Sequence, residues 1–297
     1  MVFIKHPSNP IYGSPETTGT LFDVFVTESE EGSLRMDFSW RPKDAVAAAF
    51  SSDGISWSFP RITLPSNPES GWENNVNRNC VLKTGSKYKM WYTGQACGKS
   101  YIGYAESDDG LNFHRVRKEP VLSPELPWEK ESVMNPCVLF ENGIYRMWYS
   151  AGETYEPNVL AYAESRDGIH WERSPLNPIL EGNPEKEYEQ ERIGGCQVIR
   201  HNDLGFLIFY IGYKDIHTAC ICCARSDDGV TNIKRCVFNP LVFPKKGGWD
   251  KDSCYKPSAL FDEEKNKWRI WYNGRGGGME YIGLAECQGD FKREDFV

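Results

Sequence analysis

A four-part sequence pattern returns along the chain at a near-constant interval. A chain built this way folds as copies of one unit, not as unrelated domains. The segment SSDGISW (51–57) returns as SDDGLNF (107–113), SRDGIHW (165–171) and SDDGVTN (226–232), with Gly54, Gly110, Gly168 and Gly229 spaced by 56, 58 and 61 residues. A second segment stays in phase with it: RMDFSWR (35–41), YKMWYTG (88–94), YRMWYSA (145–151), LIFYIGY (207–213) and WRIWYNG (268–274). A third follows as VAAAFSS (46–52), YIGYAES (101–107), VLAYAES (159–165), CICCARS (220–226) and YIGLAEC (281–287). The fourth is shorter: NPIY (9–12), EPVL (119–122), NPIL (177–180) and NPLV (239–242).

Each copy thus holds four short strands, with an Asp-Gly turn between the third and fourth, where Gly accepts positive φ without steric cost. Aromatics at 13% fit strands better than helices, and no stretch sustains a 3.6-residue apolar period. Five copies account for nearly all 297 residues. Four-stranded units repeated radially describe an all-β, five-bladed β-propeller with four antiparallel strands per blade. The expectation is one domain over 1–297, with blades at 20–64, 76–122, 134–180, 194–242 and 255–287. The segment at 9–12 has no preceding strands of its own copy and is expected to close the last blade. A solenoid, with repeats of roughly 20–45 residues and capping units, fits less well.

A net charge of −8 argues against nucleic acid or an anionic membrane as the main partner. No apolar run approaches the ~18 residues of a membrane helix. The opening MVFIKHPSNP lacks the apolar stretch of a secretory signal, so the chain as given is expected to be cytoplasmic. Ten cysteines in a chain this long read as reduced, buried thiols. Cys80 and Cys137 are equivalent in the repeat, with Cys196 one place off. Cys220, Cys222 and Cys223 read as a packed strand, and no spacing suggests a metal site or a cofactor.

In such a ring the first strand of each copy runs along the axis. Aligning LFDVFV, NRNCVL, MNPCVL, GGCQVI and YKPSAL places Asp23, Arg78, Asn135, Gly195 and Lys256 at one level. Packing would keep one residue type there, so five types point to a site. The loops between second and third strands share that mouth. They read Trp40-Arg41, Gly94-Gln95, Gly152-Glu153, Tyr213-Lys214 and Gly274-Arg275, and GETYEP (152–157) adds Tyr155 and Glu156. Trp72-Glu73, Trp128-Glu129, Tyr188-Glu189 and Trp249-Asp250 recur, which suggests a packing aromatic with a solvated or capping acid. Glu131, Glu191 and Asp252 break the repeat.

The stretch MNPCVLFENGIYRMWYS (134–150) resembles the blade motif of the five-bladed glycoside hydrolases. That group includes the family 43 arabinofuranosidases and xylosidases, the family 32 invertase-type enzymes and the family 130 mannoside phosphorylases. The resemblance runs through all five copies and implies carbohydrate as the ligand. It implies that Asp23 is the base or nucleophile. It fails at the acid: Asn135-Pro136 stands where family 43 carries Asp-Pro, Gly194-Gly195-Cys196 where it carries Glu-Gly-Pro, and Arg78-Asn79-Cys80 where the invertase type carries Arg-Asp-Pro.

Cleavage of a glycosidic bond usually needs two carboxyl groups. From mouth position, Glu153 and Glu191 are the expected partners of Asp23, with Glu189 and Asp252 as further candidates for the acid. The expected substrate contacts are Trp40, Arg41, Arg78, Asn79, Gln95, Asn135, Tyr155, Asp252, Tyr255, Lys256 and Arg275. The reading is a glycosidase that removes a terminal sugar from a short oligosaccharide or glycoside. An inverting phosphorylase that uses inorganic phosphate and a non-catalytic sugar-binding propeller are the alternatives, and the oligomeric state is open.

Overall fold

The computed structural model describes residues 1–29, 32–153, 155 and 157–297. Regular structure among the described residues is all-β, with short 3₁₀ turns between strands. Strand β1 (Ile4–Lys5) lies near the N-terminus. The first unit is β2 (Leu21–Glu28), β3 (Leu34–Trp40), β4 (Ala45–Ser51) and β5 (Arg61–Pro65). The second is β6 (Asn75–Thr84), β7 (Lys87–Ala96), β8 (Lys99–Ser107) and β9 (His114–Arg115). The third is β10 (Ser132–Glu141), β11 (Ile144–Gly152) and β12 (Pro157–Ser165), with β13 (Glu172–Arg173) and β14 (Leu180–Glu181) both on the β12 edge. One parallel bridge, Ser132 to Ser100, joins it to the second. The fourth is β15 (Arg192–His201), β16 (Gly205–Asp215), β17 (Thr218–Ser226) and β18 (Lys234–Arg235). Last come β19 (Ser253–Asp262), β20 (Lys267–Gly276) and β21 (Met279–Gln288), which take β1 as their outer strand.

The first strands pack in order, β2 on β6, β6 on β10, β10 on β15 and β15 on β19, and β19 packs back on β2. That contact closes a ring. The second strands are buried on both faces, polar residues included: β3 is buried from Leu34 to Trp40 although it alternates Arg35, Asp37 and Ser39 with apolar residues. In β16, Phe206 through Tyr213 are all buried.

Hydrogen bonds across units explain why the repeat keeps its Trp and its Asp-Gly turn. The Trp91 indole donates to the Gly168 carbonyl at 2.8 Å, Trp148 to Gly229 at 2.7 Å, and Trp271 to Gly54 at 2.9 Å. The last of these spans the ring closure. Each turn is preset by its Asp: Asp53 Oδ1 accepts the Ile55 and Ser56 N–H groups at 2.7 Å each. These bonds hold its carboxyl down at about 2.

The recurring acids correct the sequence reading. They are not solvated: Glu73, Glu129 and Glu189 are 0% exposed and Asp250 is 1% exposed. Capping holds at Glu129, whose Oε2 accepts the Leu126 N–H at 3.0 Å at the start of the 3₁₀ turn Pro127–Glu129. Each is held between the Tyr of the second strand and a cation on the outer strand. Glu73 takes Tyr92 and Arg115, Glu129 takes Tyr149 and Arg173, and Glu189 takes Tyr210 and Arg235. Asp250 takes Tyr272 and Lys5. Lys5 stands opposite Ala285 as Arg115 stands opposite Ala105, Arg173 opposite Ala163 and Arg235 opposite Ala224. The N-terminal strand thus completes the last unit with the same clamp. Asn9 bonds to Leu284 as Asn177 does to Tyr162 and Asn239 to Cys223. Removing one partner of a buried pair leaves an uncompensated charge, so Arg173→Ala should cost about 3–5 kcal/mol in denaturant unfolding.

Cys80, Cys137 and Cys196 are free and buried. They share one register position, opposite Trp91, Trp148 and Tyr210. The one-place offset seen in the sequence is absorbed by a shorter bulge in β15.

Candidate active site

In all five first strands the ladder slips just where the strand meets the mouth of the ring. The slips fall between Phe22 and Phe25, Asn77 and Cys80, Met134 and Cys137, Gly194 and Cys196, and Tyr255 and Ser258. A bulge of this kind re-aims a side chain. The bulged residues are Asp23, Arg78, Asn135, Gly195 and Lys256, the axial set of the sequence alignment. Four of them hold left-handed backbone, with φ of 59° at Asp23, 50° at Arg78, 55° at Asn135 and 50° at Lys256. Non-glycine residues adopt this at a cost of order 1–2 kcal/mol each. Four repeated outliers at one level mark a place where side-chain direction matters more than backbone comfort.

The strained backbone is held from the neighbouring unit. The Arg78 N–H donates to Ser39 Oγ at 3.1 Å, and the Asn135 N–H to Thr93 Oγ1 at 3.1 Å. The Val24 N–H donates to Asn273 Oδ1 at 3.3 Å. The fourth unit carries Gly195 here, and a Cβ on it would lie 2.7 Å from Asn135 Cγ, so any side chain at this position would displace Asn135.

A cavity of about 100 Å³ opens at this level. Its lining is polar at Asp23, Arg78, Asn135, Ser253, Tyr255, Arg275 and Glu280, apolar at Phe22, Pro157, Ile211, Ile216 and Ala219, and mixed at Tyr155 and Tyr213. Asp23 is 2% exposed. Its Oδ2 accepts from Ser39 Oγ at 3.1 Å, and its Oδ1 lies 3.9 Å from Arg78 Nε. Glu280, 9% exposed, is the second carboxyl group of this cavity. Burial raises its pKa above the usual carboxylate range, and the charge of Asp23 adds to the rise. Arg41, 3.6 Å away, Tyr255 and Arg275 pull the other way. Burial also raises the Tyr255 phenol, with Glu280 and Asp23 adding to it. A second cavity, of about 320 Å³, shares Phe22, Arg78 and Tyr155 with the first and adds Trp40, Arg41, Asn77 and Gln95. Asn77 Nδ2 donates to Gln95 Oε1 at 2.7 Å, and Arg78 Nη1 to Asn77 Oδ1 at 2.9 Å.

The structure brings together Asp23, Arg78, Asn135, Tyr155, Tyr255 and Arg275 in the first cavity, and Trp40, Arg41 and Gln95 in the adjoining one. It does not bring Glu153 and Glu191 to Asp23. Both lie on the rim, about half exposed, on either side of Arg192 at 3.3 and 3.0 Å. Lys130, at 3.2 Å, and Arg192 hold the Glu153 carboxyl below its usual value. Glu189 belongs to the buried clamp, and Asp252 accepts the Gly277 N–H in a loop. Asn79 is fully buried and lines neither cavity. Lys256, 2% exposed, lies behind the cavity, close enough to Cys80, Cys137 and Cys196 to act on their thiols. Glu156 is outside the described residues.

Glu280 is the residue that sequence reasoning missed. It stands two residues before the third-strand position shared by Val46, Ile102, Leu160, Ile221 and Ile282, where the copies read Asp44, Ser100, Asn158, Ala219 and Glu280. The rule that singled out Asp23, disagreement among copies at a hub position, would have found it one register position further on.

No family model matches the chain. It is 27% identical over 223 residues to an uncharacterized protein of Mycobacterium tuberculosis, covering 71% of this chain and 70% of that one. Over 104 residues it is 35% identical to a 1,2-beta-oligomannan phosphorylase of a Thermoanaerobacter species, 34% of each chain. Among solved structures, it matches a thermostable family-43 glycoside hydrolase with a TM-score of 0.75 at 14% identity, covering 95% of this chain and 94% of that one. It matches the beta-1,2-mannobiose phosphorylase of Listeria innocua with a TM-score of 0.70 at 15% identity, covering 97% of each. These likenesses establish the fold, and they fall in the propeller group that the blade motif resembles.

Proposed function

We propose that the ring is a five-bladed propeller enzyme that hydrolyses the glycosidic bond of a terminal sugar held in the hub cavity. The observation that carries this reading is the pair of buried carboxyl groups, Asp23 and Glu280, on one cavity. Their environments differ. Asp23 faces a hydroxyl donor and a guanidinium, the partners of an anion. Glu280 is pushed toward its protonated form. A carboxyl group pushed toward its protonated form, beside a second one on the same cavity that faces hydrogen-bond donors, is the pairing that acid/base cleavage uses. In this assignment Glu280 gives its proton to the leaving oxygen, and Asp23 activates water or attacks the anomeric carbon. Arg78, Asn135 and Arg275 supply donors for sugar hydroxyls, and Tyr155 and Trp40 supply faces for stacking. The hub cavity suits one sugar ring and its neighbour the leaving group.

One observation favours phosphorolysis as the second reading. Arg78 and Arg275 line the same cavity as the carboxyl groups, and two cations there suit an inorganic phosphate nucleophile. Nitrophenyl glycosides and short oligosaccharides, manno-configured ones included, should be incubated with and without phosphate. The expected result is free sugar at a rate that phosphate leaves unchanged. A sugar 1-phosphate formed only with phosphate would replace hydrolysis by phosphorolysis, and tight sugar binding with no product would leave a binding protein.

A further inference from the structure

The fourth unit differs from the other four at the cavity. At the bulge the others carry Asp23, Arg78, Asn135 and Lys256, and the fourth carries Gly195. Opposite the start of the bulge the others carry Ser39, Thr93, Ser150 and Asn273, and the fourth carries Ile211. At the start of the third strand it carries Ala219, where the fifth carries Glu280. Ile211 is 3% exposed and Ala219 2%. Pro157 and Ile216 extend the same wall of the cavity. Ile216 is 52% exposed, with its side chain on the lining of the cavity at its lip. The nearby hydroxyl of Ser253 is already engaged: it donates to the His217 carbonyl at 2.7 Å and accepts from the Ala219 N–H at 3.3 Å. Tyr213, also of the fourth unit, lines the cavity too and brings a phenol to it. A sugar hydroxyl turned toward Ile211, Ala219 and Ile216 would lose its water and gain no partner from those side chains.

We infer that the bound sugar presents a methyl-bearing edge to the fourth unit and that the hub cavity selects 6-deoxyhexoses over their parent hexoses. This rests on the reading of the cavity as a sugar site. Every ring carbon of a hexose carries oxygen, and the exocyclic carbon reaches furthest from the ring. A methyl there in place of a hydroxymethyl group gives the sugar one apolar edge to match one apolar wall. The other units supply carboxylates, guanidinium groups and an amide for the remaining hydroxyls. Discrimination by a hydrophobic pocket against one added hydroxyl is of order 10- to 100-fold.

The test is titration calorimetry of the full chain with both enantiomers of mannose, galactose and their 6-deoxy forms, and with xylose and arabinose. The expected result is at least one 6-deoxyhexose bound 10-fold or more tightly than its parent. Ile216→Asn, a lip substitution that disturbs no buried packing, should cut that ratio to 3-fold or less. Parents that bind as tightly as their 6-deoxy forms would overturn the inference and leave the sugar site standing, and so would a pentose that binds tighter than every 6-deoxyhexose. An unchanged ratio in Ile216→Asn would remove the wall as its cause. Absence of binding by every sugar would overturn the inference together with the sugar site.

Discussion

Asp23→Asn should abolish turnover, lowering kcat/KM by a factor on the order of 10²–10⁴, while the melting temperature stays within a few degrees of wild type. The substitution keeps the volume of a side chain that is 2% exposed. Asn is also one of the few residues that tolerates left-handed backbone, so φ of 59° adds little strain. Its amide oxygen can still accept from Ser39 Oγ. What it lacks is the negative charge and the ability to take up a proton or attack carbon. Steady-state kinetics and a thermal melt on the same preparation separate the two roles. A variant that is active and stable would remove Asp23 from the chemistry. A variant that is inactive and unfolds early would make it a structural residue of the β2 bulge.

The ring was legible because its joints are made by the residues that repeat. A Trp that reaches the turn of a neighbouring unit recurs in three copies, as Trp91, Trp148 and Trp271, and the Asp that presets the turn recurs in four, as Asp53, Asp109, Asp167 and Asp228. The axial positions were legible for the opposite reason, as Asp23, Arg78, Asn135 and Lys256 share a conformation but no chemistry. Their αL geometry left no mark in the sequence, because Asn and Asp are common there but Arg and Lys are not.

The acids were harder. Mouth position says that Glu153 and Glu191 are near the opening, and not whether they turn inward. Arg192, adjacent to one and 39 residues from the other, turns both toward the rim. The same limit hid the clamp: Glu73 and Arg115 are 42 residues apart, and nothing local to either says that they meet. Glu280 needed the third strand to be read as part of the hub, and its register opposite Arg275 supplies that placement.

Glu280→Gln should produce an enzyme that is more stable at neutral pH and nearly inactive. Burial raises the Glu280 pKa above its ordinary value of 4.5, so the folded chain holds this proton more tightly than the unfolded chain does. Such a group leaves stability intact at pH values below 4.5 and erodes it as pH climbs toward the raised value. Gln carries no charge at any pH and fills the same space. Its melting temperature should therefore exceed that of wild type at neutral pH, with the difference closing as pH falls below the carboxylate range. Activity should move the other way. In wild type, kcat/KM should fall as pH rises through the raised value and the proton is lost. In Glu280→Gln it should drop on the order of 10²–10⁴-fold, and that alkaline limb should vanish. A carboxyl group kept only to pair with Arg41 would behave differently: its amide variant would be less stable, because Arg41 would lose its counter-charge, and its activity would change little. Stability gained where activity is lost is the sign of a residue held in an unfavourable state for its chemistry. Parallel measurement of melting and of rate across pH distinguishes the two, and it does so before the preferred glycoside has been optimised.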